Sequence, residues 1–489
     1  MSVELDVRAY AAYLDEILPT ITADEIAPEA TLFVSGRSAW RWSRPALAFA
    51  GAAAVVIVAI GAIVLFGIGA SDVTEPETST TVPTTVPATT TVPPTTVPPM
   101  VVDSWQRVGT GVMEPIAGLF AITSAGERLV AVGDDAGEDG RPDGVILVSD
   151  DGFTWTRVAE DDEALTIGGV AMYAITEGGP GLVAVGGGCD DPAESCPIRA
   201  TVWTSVDGTA WTRTPYDIDV FGTSSLMEEV VVAEHGIVAV GNTAEVTDEA
   251  LLMRPAVWIS PDGLEWARTW EGEGMARGLP AIVPDAGAFV LSPMQAVTVG
   301  PDGTVVAVGT VVDDSGVGVA AVWTSDDGQT WERVPHDPAV FASTTGMDVV
   351  MLDVAAGESG LVAVGSERDH HGAGLWWTGG ERPAVWTSPD GTAWERITLD
   401  DETFGTTRSI SAVAASATGF VAAGPIFADS GPVTIWTSPD GISWQAVASF
   451  EAGYALSIIE AGPGMAAAGG ILDVDFHAAV WVGPAATNS

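Results

Sequence analysis

Five acidic side chains, Asp134, Asp135, Glu138, Asp139 and Asp143, fall within ten residues in the stretch DDAGEDGRPD. Carboxylates at that density suit a hard cation such as Ca2+, although the spacing is not that of an EF-hand loop. Cys189 and Cys196 lie in GGGCDDPAESCPIR with no His or further Cys beside them. They lack the four ligands of a structural zinc site, and outside the cytoplasm the pair reads as a disulfide that stiffens a loop. His370 and His371 sit side by side in a Gly-rich stretch, where two imidazoles ordinarily face water. No spacing marks a nucleophile, a general acid or a resident cofactor.

The charge excludes one class of partner. The chain carries 66 acidic residues against 18 basic ones, for a formal charge of −48, and every basic residue is Arg. Such an excess repels nucleic acid and anionic lipid surfaces and favours cations or basic partners.

Three segments precede the part that could fold. Residues 1–36 hold Leu5, Ala11, Tyr13, Leu14 and Leu18 at near-helical spacing before Pro19, which predicts one amphipathic helix. Residues 46–70 run without a charge, with Arg37, Arg41 and Arg44 before them and Asp72, Glu75 and Glu77 after. A helix of that length spans roughly 37 Å, enough to cross a bilayer. The flanking charges put the N-terminus in the cytoplasm and the rest outside. The expectation is therefore a single-pass protein held in the lipid bilayer by this helix, a retained anchor rather than a cleaved signal. Residues 71–100 repeat TTVP units, a composition that gives an extended stalk in place of a packed core.

Beyond residue 100 one phrase recurs: an apolar residue, Trp-Thr-Ser, any residue, Asp-Gly, two residues, Trp. Its Asp is Asp151, Asp207, Asp262, Asp327, Asp390 and Asp440, and its second Trp is Trp155, Trp211, Trp266, Trp331, Trp394 and Trp444. Repeats of 50 to 65 residues indicate a solenoid or a propeller. Each phrase reads as a β-hairpin with Gly at the turn. Upstream, LVAVG or a variant supplies another strand pair, so each unit has four strands, a propeller blade. The last unit ends near Trp481 without its outer strand, and VDSWQRV with Trp105 offers it from the other end of the domain. The expectation is an all-β, seven-bladed β-propeller over residues 101–485, closed by its N-terminal strand.

The hairpins resemble the BNR repeats, or Asp-boxes, of sialidase-type propellers, whose signature is Ser-x-Asp-x-Gly-x-Thr-Trp. The matches run from Ser149, Asp151, Gly152 and Trp155 to Ser438, Asp440, Gly441 and Trp444, one residue shorter between Asp and Trp than the signature. The resemblance implies a folding role for the Asp-box, remote from any catalytic centre. It also implies, for an active enzyme, three Arg for a substrate carboxylate, a Tyr nucleophile with a Glu partner, and an Asp acid/base. Here most Arg after the membrane segment are locked to the repeat. Arg107, Arg157, Arg213, Arg268, Arg333 and Arg396 follow the hairpin Trp by two positions, and Arg199, Arg254 and Arg382 precede the first Trp by four. Repeat-locked Arg covers Trp faces and meets acidic neighbours. Arg128, Arg141, Arg277, Arg368 and Arg408 remain, with Tyr173, Tyr216 and Tyr454. The expectation is a non-catalytic branch of the superfamily.

Long acidic loops gather on one face of such a disc. Three inter-blade links share Asp-x-x-x-Phe: Asp217 with Phe221, Asp337 with Phe341, and Asp400 with Phe404. In the simplest reading Phe plugs the groove between blades and Asp caps the turn; in the other, the loops form an acidic recognition face for a protein or glycan ligand. The functional expectation is a membrane-anchored extracytoplasmic binding or scaffold propeller. The alternatives are a sialidase-like glycoside hydrolase and a transmembrane sensor that signals through the N-terminal helix.

Overall fold

Side chains that alternate apolar on both faces of short strands demand sheets stacked on each side, and the chain meets that demand with repeated four-stranded units. The computed structural model describes residues 104–484 except 109–110, 114–115, 117, 138–140, 159–161, 167, 190–197, 247–249, 274, 279–291, 370–380, 406, 427–430, 462–463 and 473–475. The expected cytoplasmic helix, membrane span and stalk lie outside the described residues. Among those described, no helix is long and apolar enough to cross a membrane.

The first sheet is β2 (Gly118–Ala125), β3 (Arg128–Ala136), β4 (Pro142–Ser149) and β5 (Thr156–Val158). The second is β6 (Ala171–Gly178), β7 (Gly181–Gly188), β8 (Arg199–Ser205) and β9 (Trp211–Arg213). The third is β10 (Ser225–Ala233), β11 (Gly236–Val246), β12 (Ala250–Ser260) and β13 (Ala267–Glu271), with β14 (Met275–Gly278) also on β12. The fourth is β15 (Met294–Val299), β16 (Val305–Val312), β17 (Gly318–Ser325) and β18 (Glu332–Arg333). The fifth is β19 (Asp348–Gly357), β20 (Gly360–Arg368), β21 (Arg382–Ser388) and β22 (Glu395–Arg396).

β23 (Ala412–Ser416), β24 (Gly419–Gly424) and β25 (Pro432–Ser438) follow, completed by the start of the long β26 (Gln445–Ala461). The rest of β26 opens the next set with β27 (Gly464–Leu472) and β28 (Phe476–Pro484). The outer edge of β28 is paired by β1 (Gln106–Arg107), from the other end of the domain, with Gln106 opposite Val482 and Arg107 opposite Trp481. All strand pairs are antiparallel, and the fold is all-β and propeller-like.

First strands meet in sequence. β2 lies against β6, β6 against β10, β10 against β15, β15 against β19, β19 against β23 and β23 against β26, while β26 lies against β2. Between sheets the third-strand Trp and the hairpin Trp fill one layer after another. Trp203 and Trp211 pack with Val130 and Ile146 of the preceding sheet, and Trp258 and Trp266 pack with Val183 and Val202. Ala468 and Val480 of the last strands share a layer with Leu119, Leu147 and Trp155 of the first sheet.

Four of the links between sheets are one-turn helices, at Glu163–Thr166, Ile218–Phe221, Pro338–Phe341 and Asp401–Phe404, and their sequence explains them. Asp217 and Asp337 are N-caps, accepting from the N–H of Asp219 and of Ala339, while Asp400 accepts from Thr403 N–H at 2.7 Å. Phe221, Phe341 and Phe404 are all buried between sheets. So the Asp-x-x-x-Phe phrase caps a turn and plugs a groove, the simpler of the two sequence readings.

The link also receives a bond that the sequence analysis had not foreseen. Third-strand indoles donate to link carbonyls: Trp203 to Ala164 at 2.7 Å, Trp258 to Val220 at 3.0 Å, Trp386 to Val340 at 2.9 Å and Trp436 to Thr403 at 3.4 Å. Trp481, equally buried, has no acceptor for its indole N–H among the described residues, because continuous β26 replaces the helical link there. A buried carbonyl that loses its donor costs about 1–3 kcal/mol. Trp258→Phe should therefore destabilise the protein by about 1–2 kcal/mol more than Trp481→Phe, which removes a similar ring but no bond. Chemical denaturation measures both, and equal losses would remove the link bond from the account.

Candidate functional site

The repeated carboxylates come first, since they are the most regular acidic feature. In each hairpin the Asp folds back on its own turn. Asp151 Oδ1 accepts from the N–H of Phe153 at 2.8 Å and of Thr154 at 2.6 Å, and Ser149 Oγ accepts from Gly152 N–H at 2.9 Å. Asp262, Asp327, Asp390 and Asp440 each take two backbone N–H groups in the same way. Asp207 takes Thr209 N–H at 2.9 Å and the Thr209 hydroxyl at 2.7 Å. The turn glycines, Gly152, Gly208, Gly263, Gly328, Gly391 and Gly441, have φ between 69° and 80°, a region open to glycine and strained for other residues. Each hairpin Trp closes the turn by donating its indole N–H to that glycine's carbonyl, as Trp394 does to Gly391 at 2.7 Å. The backbone N–H groups of Thr330 and Gln329 hold Asp327 below the usual carboxylate range. These carboxylates are committed to turns.

The cations are committed too. Arg107 pairs with Glu451 at 2.7 Å, Arg157 with Asp135 at 2.9 Å, and Arg396 with Glu367 at 3.3 Å. Arg254 and Arg268 share Glu271. Arg213 and Arg396 lie over Trp203 and Trp386, at 5.8 and 5.5 Å from the ring centres, and Arg199 lies 4.3 Å over Tyr216. Of the Arg not locked to the repeat, Arg128 bridges Asp150 and the Asp207 carbonyl at the turn end of β3. Arg141 lines a recess with Tyr173, Gly169 and Cys189 that has room for about one water. Arg368 is buried at the far end of β20, Arg277 lies on β14, and Arg408 precedes β23.

A different acidic group lies where the first strands meet. Opposite the glycine that ends the LVAVG-like phrase, the first strand bulges in every set except β23, which pairs with β24 without a register shift. A Cβ on Gly133 or Gly241 would overlap the carbonyl oxygen of Gly118 or Leu226. The extra, unpaired residues are Phe120, Tyr173, Glu228, Gln295, Leu352 and Leu456. Phe120 and Tyr173 stack with centroids 5.3 Å apart. Burial pushes Glu228 up to about 7, against a hydrogen bond from Ser292. Burial likewise raises Glu229 to about 8, with Asp353 and Glu228 adding repulsion. Asp353 rises to about 7 through burial, against bonds from Val413 and Val354 N–H, and Asp134 to about 7 through burial and then Asp135. Tyr173 is pushed up by burial, then by Glu228 and Asp134, and Tyr454 by burial, then Asp134. The first strands β2, β6, β10, β15, β19, β23 and β26 contain no Arg or Lys.

The residues considered for a metal do not form one loop. Asp134 and Asp135 are consecutive in β3, and Asp143 is the cross-strand partner of Asp135 in β4. Neighbours along a strand point to opposite faces, so Asp134 turns toward Tyr173 and Tyr454 while Asp135 binds Arg157. Glu138, Asp139, His370 and His371 lie outside the described residues, among which no group of three or more His, Cys, Asp or Glu could hold a metal ion. Cys189 is buried, and its carbonyl accepts from Arg213 at 3.4 Å; Cys196 lies outside the described residues. Trp481 is fully buried, and Trp105 packs partly buried in its layer, against Gly483. The sequence analysis missed Glu228, Glu229 and Asp353. Their signal was acidic residues interrupting the apolar strands SLMEEVVVA and DVVMLDVAAG.

No protein-family model matches the chain, and no curated protein matches it. Among solved structures it is similar to Trypanosoma rangeli sialidase in complex with the inhibitor DANA, at 14% identity and a TM-score of 0.40, over 78% of this chain and 59% of that one. The chain thus spans 59% of the sialidase's length. A putative glycoside hydrolase from Parabacteroides distasonis gives 13% identity and a TM-score of 0.31, over 51% of this chain and 84% of that one. A glycosyl hydrolase from Bacteroides ovatus gives 13% and 0.30, over 52% and 85%.

The hairpin carboxylates carry a pH signature. Although burial opposes it, Ser443 and Ile442 N–H bonds keep Asp440 below its ordinary value. A depressed carboxylate adds stability above its unfolded value, near pH 4, and loses it as pH falls through the lower folded value. Asp440→Ala should cost about 1 kcal/mol at pH 7, like loss of a helix-capping side chain, and the difference from wild type should shrink below pH 4. Denaturation at pH 7 and pH 3 measures it; a gap that widens in acid would contradict the assignment.

Proposed function

We propose that this chain is a non-enzymatic binding or scaffold protein whose described part is a seven-bladed propeller closed by its N-terminal strand. The propeller is held outside the cytoplasm by the apolar segment 46–70 and the Thr/Pro stalk, with a Cys189–Cys196 disulfide in one loop. It recognises a basic protein segment or another cationic ligand at the end of the sheets where Asp134, Glu228, Glu229 and Asp353 gather. One observation carries this reading: the Arg side chains locked to the repeat, Arg333 apart, are engaged in the frame, while the first strands supply carboxylates and no cation. A surface of that sign attracts cations and repels a carboxylated sugar.

The rival reading is a sialidase-like hydrolase, favoured by Tyr173 facing both Glu228 and Asp134. That reading needs a cluster of Arg for the substrate carboxylate; Arg141 lines a recess with Tyr173, but Arg128 sits at the opposite end of β3 from Asp134, bound to Asp150.

Two assays on the full-length protein separate the readings. Fluorogenic sialosides and other glycosides should not turn over. A labelled Arg-rich peptide should bind with an affinity that falls steeply with salt, and Asp134→Asn or Glu228→Gln should weaken it by about threefold or more. Turnover abolished by Tyr173→Phe would establish the hydrolase, and peptide binding indifferent to both carboxylate substitutions would refute the acidic site.

A further inference from the structure

The bulges bring one residue from each of six first strands to the place where those strands meet. In the order in which the strands adjoin, they are Leu456, Phe120, Tyr173, Glu228, Gln295 and Leu352. Two rings, a carboxylate and a carboxamide therefore follow one another. Phe120 and Tyr173 are stacked, with centroids 5.3 Å and planes 21° apart, and Phe120, Tyr173, Glu228 and Gln295 are all partly exposed.

A buried network fixes the polar half of this series. Ser292 is fully buried; its hydroxyl donates to Glu228 and accepts from Asn242 Nδ2 at 2.8 Å, while its carbonyl accepts from Gln295 Nε2 at 3.3 Å. One N–H of Gln295 is spent there, and its side-chain oxygen stays an acceptor beside the Glu228 carboxylate. Elsewhere the chain joins a ring and a carboxylate through its own Arg, as Arg396 lies over Trp386 and pairs with Glu367. Here the same partners occur, and no first strand brings a cation. Arg141 lines a recess with Tyr173, its stem against Gly169, but the lining of that recess includes neither Phe120 nor Glu228.

We propose that Phe120, Tyr173, Glu228 and Gln295 seat the guanidinium of one Arg from a basic partner, its plane against the aromatic pair and its N–H groups donated to Glu228 and Gln295. This rests on the reading of that end of the sheets as a cation-binding surface, and adds that the surface selects Arg over Lys. A guanidinium is planar, weakly hydrated and carries its donors in a fixed fork, so it can lie on a ring and meet a carboxylate edge-on at once. A Lys ammonium is a strongly hydrated point charge and gains less from the rings. A metal ion is served worse, since Leu456, Phe120 and Leu352 offer it no oxygen. Among the described residues no group of three or more His, Cys, Asp or Glu could hold one.

A comparison at equal charge tests the seat. Two labelled peptides, identical except that Arg in one is Lys in the other, are titrated into the full-length protein at about 0.15 M salt, where long-range attraction is screened alike for both. The Arg peptide should bind about fivefold or more tighter. Phe120→Leu and Tyr173→Leu should each bring that ratio toward one, while Tyr173→Phe, which keeps the ring, should retain most of it. Ser292→Ala, which removes the hydroxyl that directs Glu228, should lower the ratio with little change for the Lys peptide. If the Leu variants fold poorly, the wild-type ratio and Ser292→Ala still decide. Equal affinity for the two peptides in the wild type would overturn the seat, as would a ratio that survives loss of the rings. In either case, binding that still weakens with Glu228→Gln leaves the acidic surface standing; failure of both peptides to bind would refute the two readings together. A ratio that rises in Arg141→Ala would also overturn the proposal, because the protein's own guanidinium would then be the occupant.

Discussion

A four-stranded sheet that is apolar on both faces can be stable only between two others. This chain places Val, Ala and Trp on both sides of its second and third strands, nearly all of them buried. Each layer between sheets is filled by second- and third-strand side chains of one sheet and the Trp pair of the next. A linear stack would leave one apolar face bare at each end. Ala468 and Val480 of the last strands share a layer with Leu119 and Trp155 of the first sheet, and β1 pairs the outer edge of β28, the packing that the proposed closure requires. The remaining features serve that stacking: capped one-turn links, plugging Phe side chains and turns fastened by Asp.

Much of this was legible because the residues involved do one thing at a fixed offset. Asp-Gly followed by Trp can be read as a turn, since only glycine tolerates the positive φ seen at Gly152 or Gly391 without strain. Trp105 could be matched to the last unit because Arg107 follows it at the same distance as Arg157 follows Trp155, and each pairs with an acid on a strand beyond its immediate neighbour. The Asp-x-x-x-Phe phrase was likewise legible as cap and plug.

Other features depend on three-dimensional proximity that no offset encodes. Asp134, Glu228 and Asp353 are hundreds of atoms apart along the chain, and the first strands bring them to one end of the sheets. Their raised values come first from burial, which neither composition nor spacing reports. The five-acid stretch, described only at Asp134, Asp135 and Asp143, shows the same dependence on placement. Its density suggested one ligand set, but strand alternation sends Asp134 and Asp135 to opposite faces, one toward tyrosines and the other to Arg157. In the proposed function, this division of charge, cations in the frame and carboxylates where the first strands meet, gives that end of the sheets its sign.

Cross-linking tests closure most directly. Gln106 and Val482 are cross-strand partners, and Cα separations of about 4.5–5.5 Å in such pairs lie within reach of a disulfide. With Cys at both positions, the account predicts spontaneous formation of a bond joining the two peptides, seen by mass spectrometry, and a higher melting temperature in the oxidised form. Thiols that stay reduced under oxidising conditions in folded protein would mean that the N-terminal strand does not complete the last sheet.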